Sequence, residues 1–326
     1  MNVLVTGGAG FIGSHVVESL ITSGHGVTCL DNFDEFYNPA IKRRNLASLT
    51  GAESVRLVEG DLRDQAALDR CFGEKRVDIV IHLAARAGVR PSLLQPELYY
   101  DVNVMGTLRL LETMRRANVS RMLFASSSSV YGNNPKTPFS ESDNVDMPVS
   151  PYAATKRAGE LLCHTFHHLY GFDIFCLRFF TVYGPRQRPE MAIHQFARRI
   201  MNGEPISMYG DGTSRRDYTY IADIVDGINR SLSALQGYEI LNLGESQTIS
   251  LADLIRRLEK TIGRKAVLRQ EPMQPGDVLL TFADIEKARR LIGYNPGWPV
   301  ELGLEKFVGW LRQAQGAKNH SIPSNM

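Results

Sequence analysis

What this chain has little of narrows its class first. Four cysteines, Cys29, Cys71, Cys163 and Cys176, stand far apart in 326 residues, with no Cys-x-x-Cys pair and no spacing of a disulfide framework or a zinc site. That fits a reducing compartment. No stretch approaches the roughly 18 consecutive apolar residues of a membrane span. The N-terminus passes straight into a strand-like run, Asn2–Val5, with no charged leader or cleavage site. The expectation is a cytoplasmic protein without a membrane partner. An excess of charge is missing too: 37 Lys plus Arg against 35 Asp plus Glu leave a net +2, so nothing global calls for nucleic acid. Internal repeats and low-complexity tracts are absent. What is there is 43% hydrophobic residues, enough for a substantial core.

Those residues are arranged in a pattern. The first half alternates short apolar runs with amphipathic stretches, as a parallel sheet covered by helices on both faces requires. Strands are expected at Asn2–Thr6, Val27–Leu30, Val55–Glu59, Asp78–Leu83, Arg121–Ala125 and Ile174–Arg178. Helices are expected at Ile12–Ser23, Ala66–Phe72, Tyr99–Ala117 and Ser150–Tyr170. From Gly184 to Tyr209 the character changes, with Pro185, Pro189 and Pro205 breaking the chain around one helix-like stretch, Met191–Asn202. The reading is therefore α/β. A Rossmann-type doubly wound parallel sheet takes residues 1–180, and a smaller mixed α/β substrate domain takes residues 181–326. The runs Tyr218–Ile221 and Glu239–Leu243 flank a helix, Ala222–Leu235, and make 218–244 a possible return segment to the first domain. Helices near Leu251–Ile262, Ile285–Ile292 and Leu302–Gln315 complete the chain, and the tail Lys318–Met326 reads as disordered.

Thr6-Gly7-Gly8-Ala9-Gly10-Phe11-Ile12-Gly13 lies between the first strand and the first helix. A side chain at Gly7 or Gly10 would obstruct the tight turn or the approach of a pyrophosphate to the positive end of the helix. Asp31 ends the second strand, eighteen positions after Gly13, and suits the adenosine ribose hydroxyls of a dinucleotide. Its carboxylate would repel a 2′-phosphate, which favours NAD over NADP. Lys42, Arg43 and Arg44 offer charge for such a phosphate, but a basic run of this kind reads as a solvated face.

Tyr152 and Lys156 are spaced to share one helical face. Free tyrosine has a pKa of about 10, so a phenol working as a base near pH 7 needs a shift of about 3 units. A neighbouring ammonium and a positive nicotinamide ring both favour the phenolate. Ser126, Ser127, Ser128 and Ser129 follow the fifth strand, where ligands of open parallel sheets bind, and their hydroxyls either read a polar substrate or cap a loop. Capping is the expectation for Ser126. His164 and His168 could pair on a metal, but no third ligand suggests itself, so the three histidines at 164, 167 and 168 read as packing or interface and no metal is expected.

In this order, the glycine turn, Asp31, the serine run ending in Val130-Tyr131-Gly132 and Tyr152-x-x-x-Lys156 resemble the extended short-chain dehydrogenase/reductase family, to about residue 315. The finer likeness is to UDP-glucuronate 4-epimerases. It is carried by Asp31-Asn32-Phe33, by Phe36-Tyr37-Asn38-Pro39 and above all by the stretch Arg178 to Ala192, RFFTVYGPRQRPEMA.

The resemblance implies NAD held by Gly7, Gly10, Phe11, Ile12, Gly13, Asp31 and Asn32. Asp61 and Leu62 would flank the adenine, Ala84 and Ala85 would pass the pyrophosphate, and Lys156 would anchor the cofactor and tune Tyr152. Ser127 would hydrogen-bond the reacting hydroxyl and Tyr152 would take its proton. A UDP-sugar would be contacted by Arg90, Ser127, Ser128, Ser129, Thr181 and Arg188, with Arg216 on the diphosphate and Asp277 at the uridine ribose. The reaction implied is inversion at carbon 4 through a 4-keto sugar, between UDP-glucuronate and UDP-galacturonate. A homodimer would be built on the stretches Tyr99–Ala117 and Ser150–Tyr170.

Departures from the pattern are mild: Ser127 stands where threonine is frequent, and Glu190 where aspartate is usual. UDP-glucose 4-epimerases place asparagine at the position of Thr181. The 4,6-dehydratases carry an Asp-Glu pair where Ser128 and Ser129 stand here. A UDP-glucose 4-epimerase and a UDP-glucuronate decarboxylase stay open as alternatives, as does a nucleotide sensor without turnover.

Overall fold

The computed structural model describes residues 1–49, 54–273 and 276–319. Its centre is a sheet of seven strands, all parallel. They are β1 (Asn2–Thr6), β2 (Gly26–Asp31), β3 (Val55–Glu59), β4 (Ile79–His82), β5 (Arg121–Ser127), β6 (Asp173–Phe179) and β7 (Tyr238–Leu243). Their spatial order is β7-β6-β5-β4-β1-β2-β3. Alternation along each strand feeds two separate cores. Val3, Val5, Cys29, Ile79, Ile81, Leu123 and Phe175 pack on one face, and Leu4, Leu30, Val80, Met122, Phe124 and Ile174 on the other. Both faces are apolar, so both must be covered, and the strands read as continuous hydrophobic runs. The order reverses between β1 and β4, which opens a crevice outside their carboxyl ends.

Tyr238–Leu243 pairs along its length with β6 at the sheet edge, whereas Tyr218–Tyr220 stays outside the sheet and pairs with Thr181–Tyr183. Between them the helix Ile221–Ala234 packs against the first helix, Phe11–Thr22. The rest of the second half is built on short pairings: Pro205–Tyr209 runs parallel to Val267–Glu271, and Arg215–Arg216 antiparallel to Ile249–Ser250. Helices Ala192–Asn202, Leu251–Ile262 and Val300–Asn319 surround them. Lys318 and Asn319 thus close the last helix, and residues 320–326 of the expected disordered tail lie outside the described residues.

Periodicity did not reveal the helix Pro39–Leu46, although Asn38 caps it through Ala40 N and Pro39 opens it. The single expected helix Tyr99–Ala117 is three pieces: Pro96–Tyr100, a wide π turn at Asp101–Met105, and Gly106–Arg116.

Candidate active site

At the crevice the glycine turn meets the end of β4. Gly7 has φ +70, and a Cβ there would lie 2.8 Å from the backbone of Ala84, so no other residue fits between the two loops. A Cβ on Gly13 would lie 2.1 Å from Gly7 O. Gly10 differs: an added Cβ meets only Gly7 O, at 3.2 Å, so the space it leaves free is in the cleft. Gly10 also caps the helix Phe11–Thr22 without a side-chain partner, leaving the first N–H groups available to an anion.

The cleft above this turn encloses about 390 Å³. Gly7, Gly10, Phe11, Ile12 and Gly13 line one side of it, with Asp31, Asn32, Asp61, Leu62, Ala84 and Ala85 beside them. Asp31 is buried, which raises its pKa. The Lys42 ammonium and hydrogen bonds from Phe33 N and Ala9 N pull the other way. Asn32 donates from Nδ2 to Asp61 Oδ2 at 2.8 Å. Burial opposes ionisation of Asp61, but hydrogen bonds from Arg63 and Asn32 outweigh it and bring the pKa to about 2.

Lys42 belongs to no solvated face: it is buried and lines the cleft, while Arg43 and Arg44 are exposed. The reason is the helix Pro39–Leu46, which turns position 42 inward together with Asn45 and Leu46.

The catalytic end lies at the carboxyl end of β5. Ser126 is no loop cap. It lies inside the buried strand and donates to Glu160 Oε1 at 2.6 Å, because Glu160 forms a fully buried ion pair with Arg178 and needs further donors. The cap is Ser127, whose Oγ accepts from Ser129 N at the start of the turn Ser128–Tyr131. Ser128 and Thr181 keep their hydroxyls unbonded among the described residues, and Ser127, Ser128, Ser129, Thr181 and Arg188 all face the cleft.

Ser150 caps the helix Pro151–Tyr170, which carries Tyr152 and Lys156 into the same space. Lys156 donates from Nζ to Ala125 O at 2.7 Å, and burial lowers its pKa to about 8. Its Nζ is 6.0 Å from the Tyr152 ring centre. Burial raises the Tyr152 pKa, and the groups that oppose this are the hydrogen bond with Ser127 and the charge of Arg188. Within the chain itself Lys156 is thus engaged with the strand, and the phenol awaits further positive charge.

Sequence reasoning missed the support behind this pair. His82 is buried between Thr6 Oγ1 (2.7 Å) and Thr107 Oγ1 (3.0 Å). Burial and the charge of Lys156 lower its pKa to about 3, so it is neutral. Asn103, in the π turn, donates to Thr155 Oγ1 and ties Arg86 N and O. No mark in the sequence points to it, because the wide turn that carries Asn103 interrupts a stretch that reads as one continuous helix.

A second cleft of about 480 Å³ adjoins the first, and Phe36, Gly88, Val89, Arg188 and Met191 line both. Arg90, Arg216 and Asp277 meet here from three distant segments, joined by Arg199 and Tyr209, which the sequence did not single out. Arg90 pairs with Asp277 at 2.6 Å and stacks 4.5 Å from the Tyr209 ring centre. Burial, the largest influence on Arg216, lowers its pKa, so its charge lacks full compensation inside the chain. Four arginines around one apolar-floored cleft suit a diphosphate.

The histidines lie elsewhere. His164 and His167 pack on Tyr238, and His167 Nδ1 is 2.7 Å from Phe172 O. The four cysteines are buried and free.

A doubly wound sheet with a glycine turn at its switch point, a Tyr-Lys pair at the end of β5 and a cationic cleft alongside defines an enzyme that pairs a dinucleotide with a phosphate-bearing substrate. The model of the NAD dependent epimerase/dehydratase family matches residues 3–244, and the chain belongs to that family. The UDP-glucuronate 4-epimerase of Thermodesulfobacterium geofontis is 46% identical over 312 residues, 95% of this chain and 96% of that one. The UDP-glucuronic acid 4-epimerase of Bacillus cereus, in complex with UDP-glucuronic acid and NAD, superposes with a TM-score of 0.89 at 36% identity, covering 96% of this chain and 100% of that one. The dTDP-glucose 4,6-dehydratase DesIV of Streptomyces venezuelae, with NAD and TYD bound, superposes at 0.91 with 32% identity, covering 97% and 98%. Overall shape therefore does not separate epimerase from dehydratase, and the side chains in the cleft must.

Proposed function

We propose that this chain is an NAD-dependent UDP-sugar 4-epimerase that interconverts UDP-glucuronate and UDP-galacturonate. The observation that carries the reading is the wall of the first cleft, where Ser128, Ser129 and Thr181 present hydroxyls, Arg188 lines both clefts, and no carboxylate takes the place of Ser128 or Ser129. Such a wall suits a sugar carboxylate and lacks the acid–base pair that dehydration needs.

The first cleft fits NAD on the chain's own geometry: Gly7 and Gly13 admit no side chain, Gly10 opens toward the helix N-terminus, and Asp31 stands at the ribose end of the second strand. NAD, when bound, supplies the acceptor and the donor for the hydride of carbon 4. Tyr152 takes the proton of the 4-hydroxyl and returns it after inversion, and Ser127, in the same cleft, holds that hydroxyl. Lys156 anchors the strand end and the cofactor side of the pocket. Arg216, Arg90 and Asp277 grip the UDP, which lets the 4-keto sugar turn over without leaving.

We assign residues 1–180 with the returning strand to the nucleotide-binding part and 181–326 to the sugar nucleotide. Tyr100, Met105 and Leu161 are exposed apolar side chains on the helical layer formed by the π-turn segment and the catalytic helix, and they support a homodimer through that layer. Four free, buried cysteines support a cytoplasmic location. No helix among the described residues is long and apolar enough to cross a membrane.

The test is to incubate the protein separately with UDP-glucuronate, UDP-glucose and UDP-xylose and to resolve the products by chromatography and mass. UDP-galacturonate from the first is expected. A UDP-pentose with carbon dioxide, or turnover confined to UDP-glucose, would replace the assignment.

A further inference from the structure

In the segment 187–191, which borders both clefts, backbone and charged side chains are held differently. Met191 N donates to Arg188 O at 3.2 Å, and the helix Ala192–Asn202 fastens the turn from behind: Gln195 Nε2 donates to Glu190 O at 2.7 Å, and His194 Nδ1 lies 2.7 Å from Gln187 O. The backbone is fixed. Arg188 Nε stands 3.0 Å from Glu190 Oε1, yet neither carboxylate oxygen completes a hydrogen bond, although both are shielded from water. The guanidinium makes none either among the described residues, and it lies 6.0 Å from the Phe36 ring centre. Arg178 shows the contrast: it meets Glu160 through two bonds of 2.8 and 2.9 Å, the fork geometry that suits a guanidinium to a carboxylate. One pair is built to stay, and the other is loosely made. Arg188 lines both clefts, whereas of the two Glu190 lines only the second and Ser128 and Thr181 only the first. The arginine therefore borders a resident carboxylate and the hydroxyl wall at once.

We infer that Glu190 is the resident counter-ion of Arg188 and competes with the sugar carboxylate for its guanidinium. Glu190 is a positioning residue, since it acts through Arg188. A glucuronyl carboxylate entering at the hydroxyl wall draws the guanidinium to itself, and the loosely made pair gives it up at little cost. When the 4-keto sugar turns, that carboxylate must leave again. Glu190 then takes the guanidinium back, so the turn strands no charge in a partly desolvated cleft. Without this competitor the uronate would be held more tightly and would turn less readily. UDP-glucose has no sugar carboxylate, so its binding escapes the competition. The proposal rests on the UDP-glucuronate reading above.

Binding and turnover of Glu190→Gln, Glu190→Ala and Glu190→Asp provide the test. Binding is titrated by calorimetry with UDP-glucuronate and with UDP-glucose, in NAD-loaded protein that also carries Tyr152→Phe to stop the chemistry. Glu190→Gln and Glu190→Ala should each tighten UDP-glucuronate by about tenfold and leave UDP-glucose within about twofold. Glu190→Asp, which keeps the charge, should stay near the parent for both. With Tyr152 in place, kcat for UDP-glucuronate should fall by about threefold or more in the Gln and Ala variants while KM falls with it. Unchanged or weaker UDP-glucuronate binding in both variants would overturn the proposal. Equal tightening of both nucleotide sugars would overturn it too, because the effect would then be the general field of the cleft on the UDP. Tighter uronate binding with unchanged kcat would remove Glu190 from the turning step and overturn the proposal as stated. A wild-type enzyme that forms no UDP-galacturonate would instead remove the reading on which the proposal rests.

Discussion

The two clefts are made of different material. The first is shaped by backbone: glycines at 7, 10 and 13 let two loops and a helix end come together, and only a few side chains complete it. The second is shaped by charged side chains from separate segments, with Arg90, Arg199 and Arg216 each on a different element and Asp277 on a loop. A backbone cradle holds one invariant ligand through every turnover. A cradle of flexible arginines can keep its grip on a diphosphate while the sugar beyond it changes face. Changes in the first cleft should therefore alter the chemical step or the cofactor content, and changes in the second should alter substrate binding.

The sharpest way to break this division is Tyr152→Phe. The phenol lies in the first cleft beside Ser127, so turnover should fall by about 10²- to 10⁴-fold while NAD content stays near wild type. Near-normal turnover would move the base elsewhere. Arg216→Ala probes the other side. Losing a charge-assisted contact of about 1.5–3 kcal/mol should raise KM by about one to two orders of magnitude and leave kcat within a few fold. An equal loss in kcat would show that the grip acts on the transition state and erase the distinction.

The hydroxyl wall of the first cleft, with Arg188 shared by both clefts, carries an intermediate prediction. Oxidation of a glucuronyl group at carbon 4 gives a β-keto acid, which loses carbon dioxide when its carboxylate stands perpendicular to the ketone. The hydroxyls of Ser128 and Thr181, unbonded within the described chain, can hold it near the plane. Removing two contacts of about 0.5–1.5 kcal/mol each, or more to a charged group, should raise carbon dioxide released per epimerised product by about tenfold or more in Ser128→Ala with Thr181→Ala. An unchanged ratio with a slower rate would mean that these hydroxyls bind the sugar without orienting the carboxylate.

The smallest effect tests the cost of the first cleft. Burial holds the Lys156 pKa at about 8, below its ordinary 10.5, so between these values the unfolded chain binds the proton more tightly than the folded one. Stability of the nucleotide-free protein relative to Lys156→Met should therefore rise with pH, by on the order of 1 kcal/mol from pH 8 to pH 9. Denaturant unfolding at both pH values reads this, and a flat or falling difference would mean that the ammonium is not destabilised in the fold.

The same contrast explains what was legible in the sequence. Backbone requirements leave short-range marks: glycine spacing, the acidic end of β2 and the Tyr-x-x-x-Lys spacing pointed to the first cleft, and short apolar runs marked all seven sheet strands to within two residues. Long-range side-chain assembly leaves no such mark. Arg199 and Tyr209 join the second cleft through short strand pairings, Pro205–Tyr209 with Val267–Glu271, that have too little length for a periodic signal. Lys42 was misread because charge was weighed without the helix that turns it inward, though Asn38-Pro39 marked that helix. The cap falls on Ser127 and not Ser126 because the strand runs two residues further than its apolar pattern, to Ser127, which puts Ser126 against the buried Glu160.

The central claim is that hydride leaves and returns to carbon 4 in the first cleft while the UDP never leaves the second. Conversion of UDP-glucuronate carrying deuterium at carbon 4, in the presence of excess unlabelled NAD, tests it most directly. Deuterium should be retained in full at carbon 4 of the UDP-galacturonate formed, with none in the added NAD. Loss of the label to solvent or to the NAD pool would contradict the account.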